Sequence, residues 1–318
     1  MKPVITITMN PTVDVTTATT KVEQGRKLRC GEPRFDPGGG GINVARMVRE
    51  LGGDAVAFFP CGGSSGETLK ALCAREKLQV EAMPIEGRTR ESLKVFEESS
   101  EGTFRFLLPG PHITDNEREA ALERIDVLAN GSGFVVLSGS LPPGLAPDFY
   151  REATERAAAA GARVALDTSG EALTEAIGPA VSVLKPNHEE AADLAGGEIV
   201  DDEARRERLV QRLLGEGIEF VFLTLGEKGV FAARRDGARL RFRPPDVSRG
   251  SPVGAGDSFL GAAVHALSND ASFEEVTRLA VAAAAAAVES EGTSLARRED
   301  ILALCDGVER IAHERARQ

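Results

Sequence analysis

The sequence predicts an α/β sandwich with a mostly parallel central sheet, and two features of the chain carry this prediction. Short, nearly continuous apolar runs recur, which is typical of strands buried on both faces of a parallel sheet. Stretches with helical spacing lie between them, and this alternation implies helices on both sides of the sheet with right-handed crossovers. The predicted strands are residues 4–9, 56–60, 134–138, 164–167, 181–184 and 220–225.

Helices are predicted between these strands and in the C-terminal part of the chain. The predicted ranges are 42–51, 67–76, 116–128, 147–160, 203–214, 257–267, 273–289 and 300–313. Residues 12–36 and 88–108 break the alternation, because they are rich in Thr and Arg and lack a helical pattern. They predict antiparallel strands outside the main sheet, a small β-sheet lid on a single domain spanning residues 1–318.

Composition excludes several functional classes. The chain has 318 residues, with 38 Lys plus Arg against 49 Asp plus Glu and a net charge of −11. It is long enough to bury a substantial core, and its acidity argues against nucleic acid as a partner. Residues 279–288 form the longest apolar run, which is too short to span a bilayer, and the N-terminus lacks signal-peptide features. We therefore expect a cytoplasmic protein with no membrane partner.

Absent motifs narrow the chemistry further. The sequence has no G-x-x-x-x-G-K-[ST] phosphate loop and no G-x-S-x-G nucleophile motif. The dinucleotide fingerprint G-x-G-x-x-G also fails, because Asn43 stands where its last glycine would be. The four cysteines show no C-x-x-C spacing, so neither a zinc site nor a redox motif is indicated. An NAD-dependent dehydrogenase is thus a poor hypothesis.

The strongest positive signal is the run V-G-A-G-D-S at residues 253–258, which opens a predicted helix. Two glycines let the backbone approach a ligand, and a helix N-terminus stabilises an anion. Asp257 would stand beside that anion and could take a proton from an attacking hydroxyl, as phosphoryl transfer to an alcohol requires. The alternative is that Asp257 only caps the helix after a glycine turn.

A second signal is the run of four glycines at residues 38–41, followed by Asn43 in the first turn of a predicted helix. Four glycines lose much conformational entropy on folding, so a specific reason for them is expected. We interpret the run as a place where the backbone approaches a polar ligand. A flexible hinge is the alternative.

Two further segments follow predicted strands. In K-P-N-H-E-E at residues 185–190, Asn187 and Glu190 share one face at the start of a helix, at the carboxyl end of a strand where ligands bind in α/β sheets. A carboxylate near a polyphosphate would hold water-ligated Mg²⁺, although a solvated acid at a helix N-terminus is otherwise the commoner case. T-L-G-E-K-G at residues 224–229 suits a nucleotide-binding edge.

Together these motifs resemble the ribokinase/PfkB family of carbohydrate kinases. The resemblance rests on five motifs in order along nearly the whole chain: N-P-T-V-D, the glycine run with I-N-V-A-R, K-P-N-x-x-E, T-L-G and G-A-G-D. The run K-L-R-C and then F-D-P-G-G-G-G-I-N-V-A-R is most similar to the type II 6-phosphofructokinase branch. The resemblance implies a ribokinase-like three-layer α/β/α sandwich.

The resemblance also implies a role for individual residues. Asp257 would be the catalytic base, and Gly254, Ala255 and Gly256 would form the anion hole. The implied sugar and sugar-phosphate ligands are Asp14, Lys27, Gly39, Asn43, Arg90, Arg105 and Ser140. The implied ATP contacts are Lys185, Asn187, Thr224, Gly226 and Gly229, with Glu190 organising Mg²⁺. A monovalent cation such as K⁺ would lie near Ser251, Val253, Ala287, Ser290 and Gly292.

Within this family, the implied reaction is ATP-dependent phosphorylation of fructose 6-phosphate at the C1 hydroxyl. Gly40 favours it, because some 1-phosphofructokinase relatives carry a lysine inside the glycine run. Pro252 departs from the family pattern T-[TV]-G-A-G-D and leaves cation binding open. Tagatose-6-phosphate kinase and 1-phosphofructokinase stay as alternatives, and a non-catalytic sugar-phosphate sensor is a hypothesis of a different class. The lid segments are short, so we expect a homodimer in which two lids pack together.

Overall fold

A computed structural model describes residues 2–247, 253–289 and 295–311. In these ranges the strands are, in chain order, β1 (Val4–Ile7), β2 (Thr12–Thr19), β3 (Arg34–Gly38), β4 (Ala55–Cys61), β5 (Gln79–Pro84), β6 (Arg90–Glu97), β7 (Gly102–Leu107), β8 (Phe134–Ser138), β9 (Arg163–Asp167), β10 (Val183–Leu184), β11 (Phe220–Thr224), β12 (Val230–Arg234), β13 (Arg239–Arg243) and β14 (Glu309–Arg310).

The helices of the same ranges surround the strands. They are α1 (Gly40–Glu50), α2 (Gly63–Arg75), α3 (Asp115–Ala129), α4 (Phe149–Ala159), α5 (Gly170–Ala176), α6 (His188–Ala195), α7 (Glu203–Gly215), α8 (Ala255–Ser268), α9 (Phe273–Glu289) and α10 (Arg298–Cys305). In this part of the chain no helix combines the length and the apolar character needed to cross a membrane.

The main sheet confirms the predicted mostly parallel arrangement. Among the described residues its strand order is β14-β13-β12-β11-β10-β9-β8-β1-β4-β5. All neighbours from β11 to β5 pair in parallel, whereas β12, β13 and β14 form an antiparallel edge. The carboxyl ends of the parallel strands therefore meet at one edge, where the predicted site residues follow β9, β10 and β11.

Helices cover both faces of this sheet. Successive residues of a strand point to opposite faces, so they pack against different helices. Phe58 and Phe59 are adjacent and both fully buried, yet they belong to different hydrophobic clusters. Phe59 packs in the cluster that includes α1, α2, α8, α9 and α10. Phe58 packs in the cluster that includes α3, α4, α5, α6 and α7. The result is a three-layer α/β/α sandwich, as expected.

The prediction of a helix over residues 300–313 is wrong at its C-terminal end. Helix α10 stops at Cys305, and Gly307 N–H bonds to Leu304 O in the turn that follows. The chain then adds β14 to the edge of the main sheet by pairing with β13. Val308, an apolar residue that would also suit the buried face of a helix, is 2% exposed and anchors this turn in the core.

The second, small sheet has the order β3-β2-β6-β7 and occupies the two segments predicted to lie outside the main sheet. The pairs β2–β3 and β6–β7 are antiparallel as predicted, but β2 and β6 are parallel. The reason is topological: β2 follows β1 and β6 follows β5, and both leave the same edge of the main sheet in the same direction.

The two faces of the small sheet differ in chemistry. By register, Val15 pairs with both Phe35 and Leu93, and Leu93 pairs with Phe106, so these apolar side chains share a face. Phe35 is 45% and Phe106 52% exposed. The opposite face carries Asp14. We refer to the first as the apolar face of the small sheet.

Candidate active site

The glycine run packs tightly against other parts of the protein. A Cβ atom on Gly40 would lie 2.2 Å from Ser138 Oγ and 3.3 Å from Asp257 Oδ1. A Cβ on Gly38 would lie 2.3 Å from Asp14 Oδ2, and Gly39 has a φ of +121°, which favours glycine. Close approach to these protein side chains explains the glycines, and the run is not a free hinge.

Asp257 lies in the first turn of α8, but it does not cap that helix. The N-cap residue is Gly254, in a left-handed conformation with φ +82°. The Asp257 Oδ2 atom instead accepts a hydrogen bond of 2.9 Å from Asn43 Nδ2 of α1. Burial, together with the nearby carboxylate of Asp167, raises the Asp257 pKa to about 7, although the Asn43 bond opposes the rise. A carboxylate with this pKa is suited to exchange a proton near neutral pH.

Lys185 brings a buried positive charge to the N-terminus of α8. Its ammonium group is 3.0 Å from Asp167 Oδ1, and the residue is 4% exposed. A Cβ on Gly256 would lie 3.3 Å from Lys185 Nζ, so the ammonium borders the predicted anion hole. Burial lowers the Lys185 pKa, but the carboxylates of Asp167 and Glu190 outweigh burial and raise it, which keeps the lysine charged.

Glu190 and Asn187 form a reciprocal cap at the start of α6. Asn187 Oδ1 accepts bonds of 2.9 Å from the N–H groups of Glu189 and Glu190, and Glu190 Oε2 accepts one of 2.8 Å from Asn187 N–H. Burial and the Asp167 carboxylate raise the Glu190 pKa to about 7. Glu190 is therefore not an ordinary solvated acid at a helix start.

Three carboxylates thus surround one lysine, and this excess of negative charge fits a bound cation. Asp167 and Glu190 offer the hard oxygen atoms that Mg²⁺ prefers. Within the described residues, no three acidic, His or Cys side chains converge closely enough to ligate one metal ion directly. The arrangement therefore fits Mg²⁺ that keeps waters and is bound partly by substrate phosphates.

A cationic end of the site lies where β1 leads into the small sheet. Arg90 Nη2 donates a bond of 3.0 Å to Asn10 O, and Asn10 Nδ2 donates one of 3.1 Å to Ser140 Oγ. Arg90 Nε and Asn10 Oδ1 are buried without a hydrogen-bond partner. Burial raises the Asp14 pKa to about 6, while Arg105 and Arg90 oppose the rise. The orphan Arg90 Nε donor and the two arginine charges suit an anionic ligand, whereas Asn10 Oδ1 can accept a bond from a ligand hydroxyl.

The loop 138–140 connects this cationic end to the glycine run. Gly139 has a φ of +102°, and its carbonyl accepts bonds of 3.0 Å from Tyr150 Oη and from Thr168 Oγ1. Tyr150 is fully buried, so its hydrogen bond attaches this loop to the hydrophobic core. Ser138 faces Gly40 and Ser140 bonds to Asn10, which fixes the distance between the two ends of the site.

The predicted nucleotide edge lies beside α6. Asn187 forms an isolated parallel bridge with Thr224, and Thr224 N–H bonds to Pro186 O at 3.0 Å. Gly229 has a φ of +88°, and a Cβ there would lie 1.9 Å from Phe242 O. Gly226, with a φ of +59°, faces open space. Gly229 is therefore required by backbone packing, whereas Gly226 leaves room for a ligand.

The remaining predicted site residues are scattered or not described. Lys27 lies on the exposed loop between β2 and β3, and in the described part of the chain no hydrogen bond or ion pair joins it to the site. Val253 directly precedes the α8 N-cap, and Ala287 is buried on α9. The other predicted cation ligands, Ser251, Ser290 and Gly292, lie outside the described residues.

A family model described as the pfkB family of carbohydrate kinases matches residues 2–300. The chain belongs to this family. The resemblance drawn from the five motifs is thereby confirmed.

Relatives of this pfkB family kinase match along nearly its whole length. ATP-dependent 6-phosphofructokinase isozyme 2 of Mycobacterium tuberculosis is 40% identical over 299 residues, which cover 94% of this chain and 87% of that protein. The Escherichia coli protein of the same name is 36% identical over 302 residues, covering 94% and 97%. Solved structures of E. coli phosphofructokinase-2 give TM-scores of 0.89 for the complex with fructose-6-phosphate and 0.91 for the complex with potassium, at 34% and 35% identity. Each covers 96% of this chain and 99% of that one, which confirms the ribokinase-like sandwich.

Sequence reasoning missed three residues of this kinase's site. Asp167 ends β9 at the carboxyl edge of the sheet, and that position alone could have suggested it. Asn10 follows β1 in the same way. Arg46 bonds to Asn43 through its Nη1 atom at 3.1 Å, and their spacing of three residues on one helix could have suggested this contact.

Proposed function

We propose that this pfkB family kinase transfers the γ-phosphoryl group of ATP to the C1 hydroxyl of fructose 6-phosphate, which gives fructose 1,6-bisphosphate and ADP. The observation that carries the proposal is the Asp257 carboxylate, held by Asn43 at the N-terminus of α8 and beside Lys185. The names of the M. tuberculosis and E. coli relatives support the choice of substrate.

Asp257 acts as the general base. It accepts the proton of the C1 hydroxyl as the oxygen attacks the γ-phosphorus, and the bond from that phosphorus to the bridging oxygen of ADP breaks. The N–H groups of Gly254, Ala255 and Gly256 and the ammonium of Lys185 stabilise the negative charge on the transferring group. Positioning and electrostatics carry most of the rate enhancement in phosphoryl transfer.

The cationic end of the site binds the 6-phosphate in this proposal. Arg90 and Ser140 are already linked through Asn10, and the buried orphan Nε of Arg90 gains an acceptor when a phosphate binds. Lys27 and Arg105 add charge from the small sheet and its loop. The sugar hydroxyls bind to Asp14, Gly39 and Asn43, which line the path from the phosphate to Asp257.

The nucleotide binds along the carboxyl ends of β10 and β11. Lys185 contacts its phosphates, and the other contacts are made by Asn187, Thr224, Gly226 and Gly229. Glu190, which lies partly buried near the Asp167 carboxylate, would hold Mg²⁺ through water. When bound, Mg²⁺ neutralises charge on the β- and γ-phosphates.

A monovalent cation also belongs to the proposal. Val253, directly before the N-cap of α8, and Ala287, near the C-terminal end of α9, would supply backbone oxygens, and a relative has been solved in complex with potassium. K⁺ at this place would strengthen the anion hole.

The apolar face of the small sheet supports a homodimer. Phe35, Leu93, Phe104 and Phe106 are each 38% to 52% exposed on a sheet of only a few strands. Exposed apolar patches of this kind mark interaction sites, and an identical sheet offers a matching surface. Two small sheets would pack on each other and act as lids over both sites.

Steady-state kcat/KM values for fructose 6-phosphate, tagatose 6-phosphate and fructose 1-phosphate, measured with ATP and Mg²⁺, test the proposed function. We expect the highest value for fructose 6-phosphate, and more activity in K⁺ than in Na⁺ at equal ionic strength. A clear preference for fructose 1-phosphate would contradict the substrate choice. Tight binding of a phosphosugar without ADP formation would favour the sensor hypothesis.

The structure of the glycine run favours 6-phosphofructokinase over 1-phosphofructokinase. Gly40 has no space for a side chain, because its Cβ would clash with Ser138 Oγ. A lysine at this position is therefore incompatible with Ser138 in its present place. The charges that hold a phosphate lie instead at the far end of the site, around Arg90.

A further inference from the structure

Arg46 is a buried charge whose place in the interior of α1 needs an explanation. It is 7% exposed, and such burial of a guanidinium is costly unless its donors are satisfied. Its Nε and Nη2 atoms donate to the two carboxylate oxygens of Glu76 at 2.5 and 2.7 Å. This bidentate pair fixes the plane of the guanidinium.

The third arm of the guanidinium points toward the proposed catalytic base. Arg46 Nη1 donates to Asn43 Oδ1 at 3.1 Å, one turn earlier on the same helix. Asn43 Nδ2 in turn donates to Asp257 Oδ2 at 2.9 Å. Four side chains therefore form one directed chain of hydrogen bonds: Glu76, Arg46, Asn43 and Asp257.

The direction of the chain depends on arginine. An asparagine amide has a donor end and an acceptor end, and either can face a neighbour. Arg46 can only donate, so it holds the Oδ1 end of Asn43 and leaves Nδ2 for Asp257. Without Arg46 the amide can rotate and bring Oδ1 against the Asp257 carboxylate, which repels it.

The far end of the chain is well anchored. Glu76 caps the C-terminal end of α2, where its backbone N–H bonds to Leu72 O at 3.3 Å. At the other end of α2, Gly62 N–H bonds to Thr89 Oγ1 at 3.1 Å. Glu76 is thus part of a helix fixed at both ends, and it can hold Arg46 in one orientation.

We propose that Arg46, oriented by Glu76, is a positioning residue that aims the Asn43 amide at Asp257 and so holds the catalytic carboxylate ionised and in place. The inference rests on the proposed role of Asp257. Arg46 itself contacts no reacting atom.

The pH dependence of catalysis distinguishes this role from a merely structural one. The charged groups facing Asp257 from the other elements are Asp167 of β9, Lys185 after β10 and Asp14 of β2, and all of them stay when Arg46 is replaced. Loss of the directed Asn43 bond removes an interaction that favours the ionised carboxylate. The Asp257 pKa should then rise, and the acidic limb of kcat/KM should move to higher pH.

The test compares wild type with Arg46→Gln across pH 6 to 9. A rise of about one pH unit in the acidic limb would reduce kcat/KM about 5-fold at pH 7 and by less than about 2-fold at pH 9. Arg49→Gln is the matched control: it removes a neighbouring arginine that bonds to the Glu76 carbonyl, and its acidic limb should stay where it is in wild type. A folded Arg46→Gln protein with an unmoved limb would overturn the inference.

Glu76→Gln covers the case in which Arg46→Gln does not fold, as judged by thermal melting. The Glu76 side chain is 34% exposed, and glutamine keeps one oxygen that can accept a hydrogen bond from Arg46, so this change removes less than Arg46→Gln does. Glu76→Gln weakens the bonds that orient Arg46, so the acidic limb of kcat/KM should move to higher pH by less than in Arg46→Gln. An acidic limb that stays at the wild-type pH would again overturn the inference. If the wild-type protein shows no turnover, the proposed function itself is wrong. If the wild type is active but the acidic limb of both variants stays at the wild-type pH, only this inference is wrong.

Discussion

At the scale of single residues, the charge balance around Asp257 explains how an acidic protein can handle anionic substrates. The chain carries a net charge of −11, yet Lys185 places a buried cation at one end of the site and Arg90 a half-buried cation at the other. Burial and the Asp167 carboxylate push two nearby carboxylates toward neutrality, with pKa values of about 7 for Asp257 and Glu190. The global charge therefore says little about the local field that a phosphate meets.

Replacing Asp257 by Asn should reduce kcat by at least about 10²-fold, because general base catalysis typically contributes that much. ATP binding should change little, since the amide keeps the shape of the site. Wild-type kcat/KM should fall about 10-fold per pH unit below about pH 7, because protonated Asp257 cannot accept the proton. Stopped-time assays of ADP formation and calorimetric titration of ATP measure both effects.

The control for that variant is the pH profile itself. In Asp257→Asn the decrease of kcat/KM below about pH 7 should disappear, because the group that titrates there is gone. Any pH dependence that stays belongs to other groups such as Glu190 and Asp14. Near-normal turnover of Asp257→Asn would contradict the assignment of the base.

The candidate site residues that the sequence indicated are those with a local signature. Asp257 follows a glycine turn at a helix start, and Asn187 and Glu190 are three residues apart in a reciprocal cap. The bond between Arg46 and Glu76 was missed because it joins distant parts of the chain. Arg46 and Glu76 are separated by 30 residues, and only the packing of α1 beside α2 brings them together.

At the scale of elements, the start of α1 is the most constrained part of the site. The run 38–41 lies between β8, β2, α8 and the loop after β1, and its nearest neighbours are Asp14, Thr8 and Ser138. This placement brings Asn43 onto Asp257 without a side chain in between. The sequence predicted that the glycines serve close approach, but it could not show that protein side chains, and not only a ligand, occupy the space.

Gly40→Ala should therefore damage the site, because its Cβ would lie 2.2 Å from Ser138 Oγ. We expect kcat/KM to fall about 10-fold or more, because a shift of about 1 Å in a site can reduce the rate by about 10²-fold. The free energy of unfolding should fall by about 1–3 kcal/mol, which is the cost of overpacking. The double variant Gly40→Ala/Ser138→Ala removes the clashing oxygen and should recover much of the loss, which a double-mutant cycle measures.

Gly178→Ala is the matched control, because a Cβ there meets nothing within 4 Å. It should behave like wild type. If Gly40→Ala were fully active, or if removing the Ser138 hydroxyl gave no recovery, the packing explanation of the glycine run would be wrong.

Element boundaries and pairings were predictable where the pattern was local. The strand over residues 134–138 was predicted with its observed bounds, because five buried residues form one apolar run. The parallel pairing of β2 with β6 was not, since it depends on where β1 and β5 end in the main sheet. The end of α10 was also missed, because β14 pairs with a strand more than 60 residues away.

At the scale of the whole molecule, the small sheet differs from the main sheet because, among the described residues, no helix covers the exposed part of its apolar face. The main sandwich buries both faces of its sheet under helices, whereas the small sheet leaves Leu93, Phe104 and Phe106 exposed. Its other face carries Asp14 and Arg105 toward the site. A lid that positions charges over a substrate needs a rigid backing, and a second small sheet would supply it.

The variant Leu93→Lys/Phe106→Lys should convert the proposed dimer into a monomer, because it places four like charges at the centre of a symmetric apolar interface. Sedimentation equilibrium at micromolar concentration should give twice the chain mass of 33.7 kDa for wild type and one chain mass for the variant. Leu302→Lys is the control, since Leu302 is 49% exposed on α10, away from the small sheet, and its replacement should leave the dimer intact. A monomeric wild type, or a double variant that keeps the wild-type mass, would show that the apolar face does not join two copies of the chain.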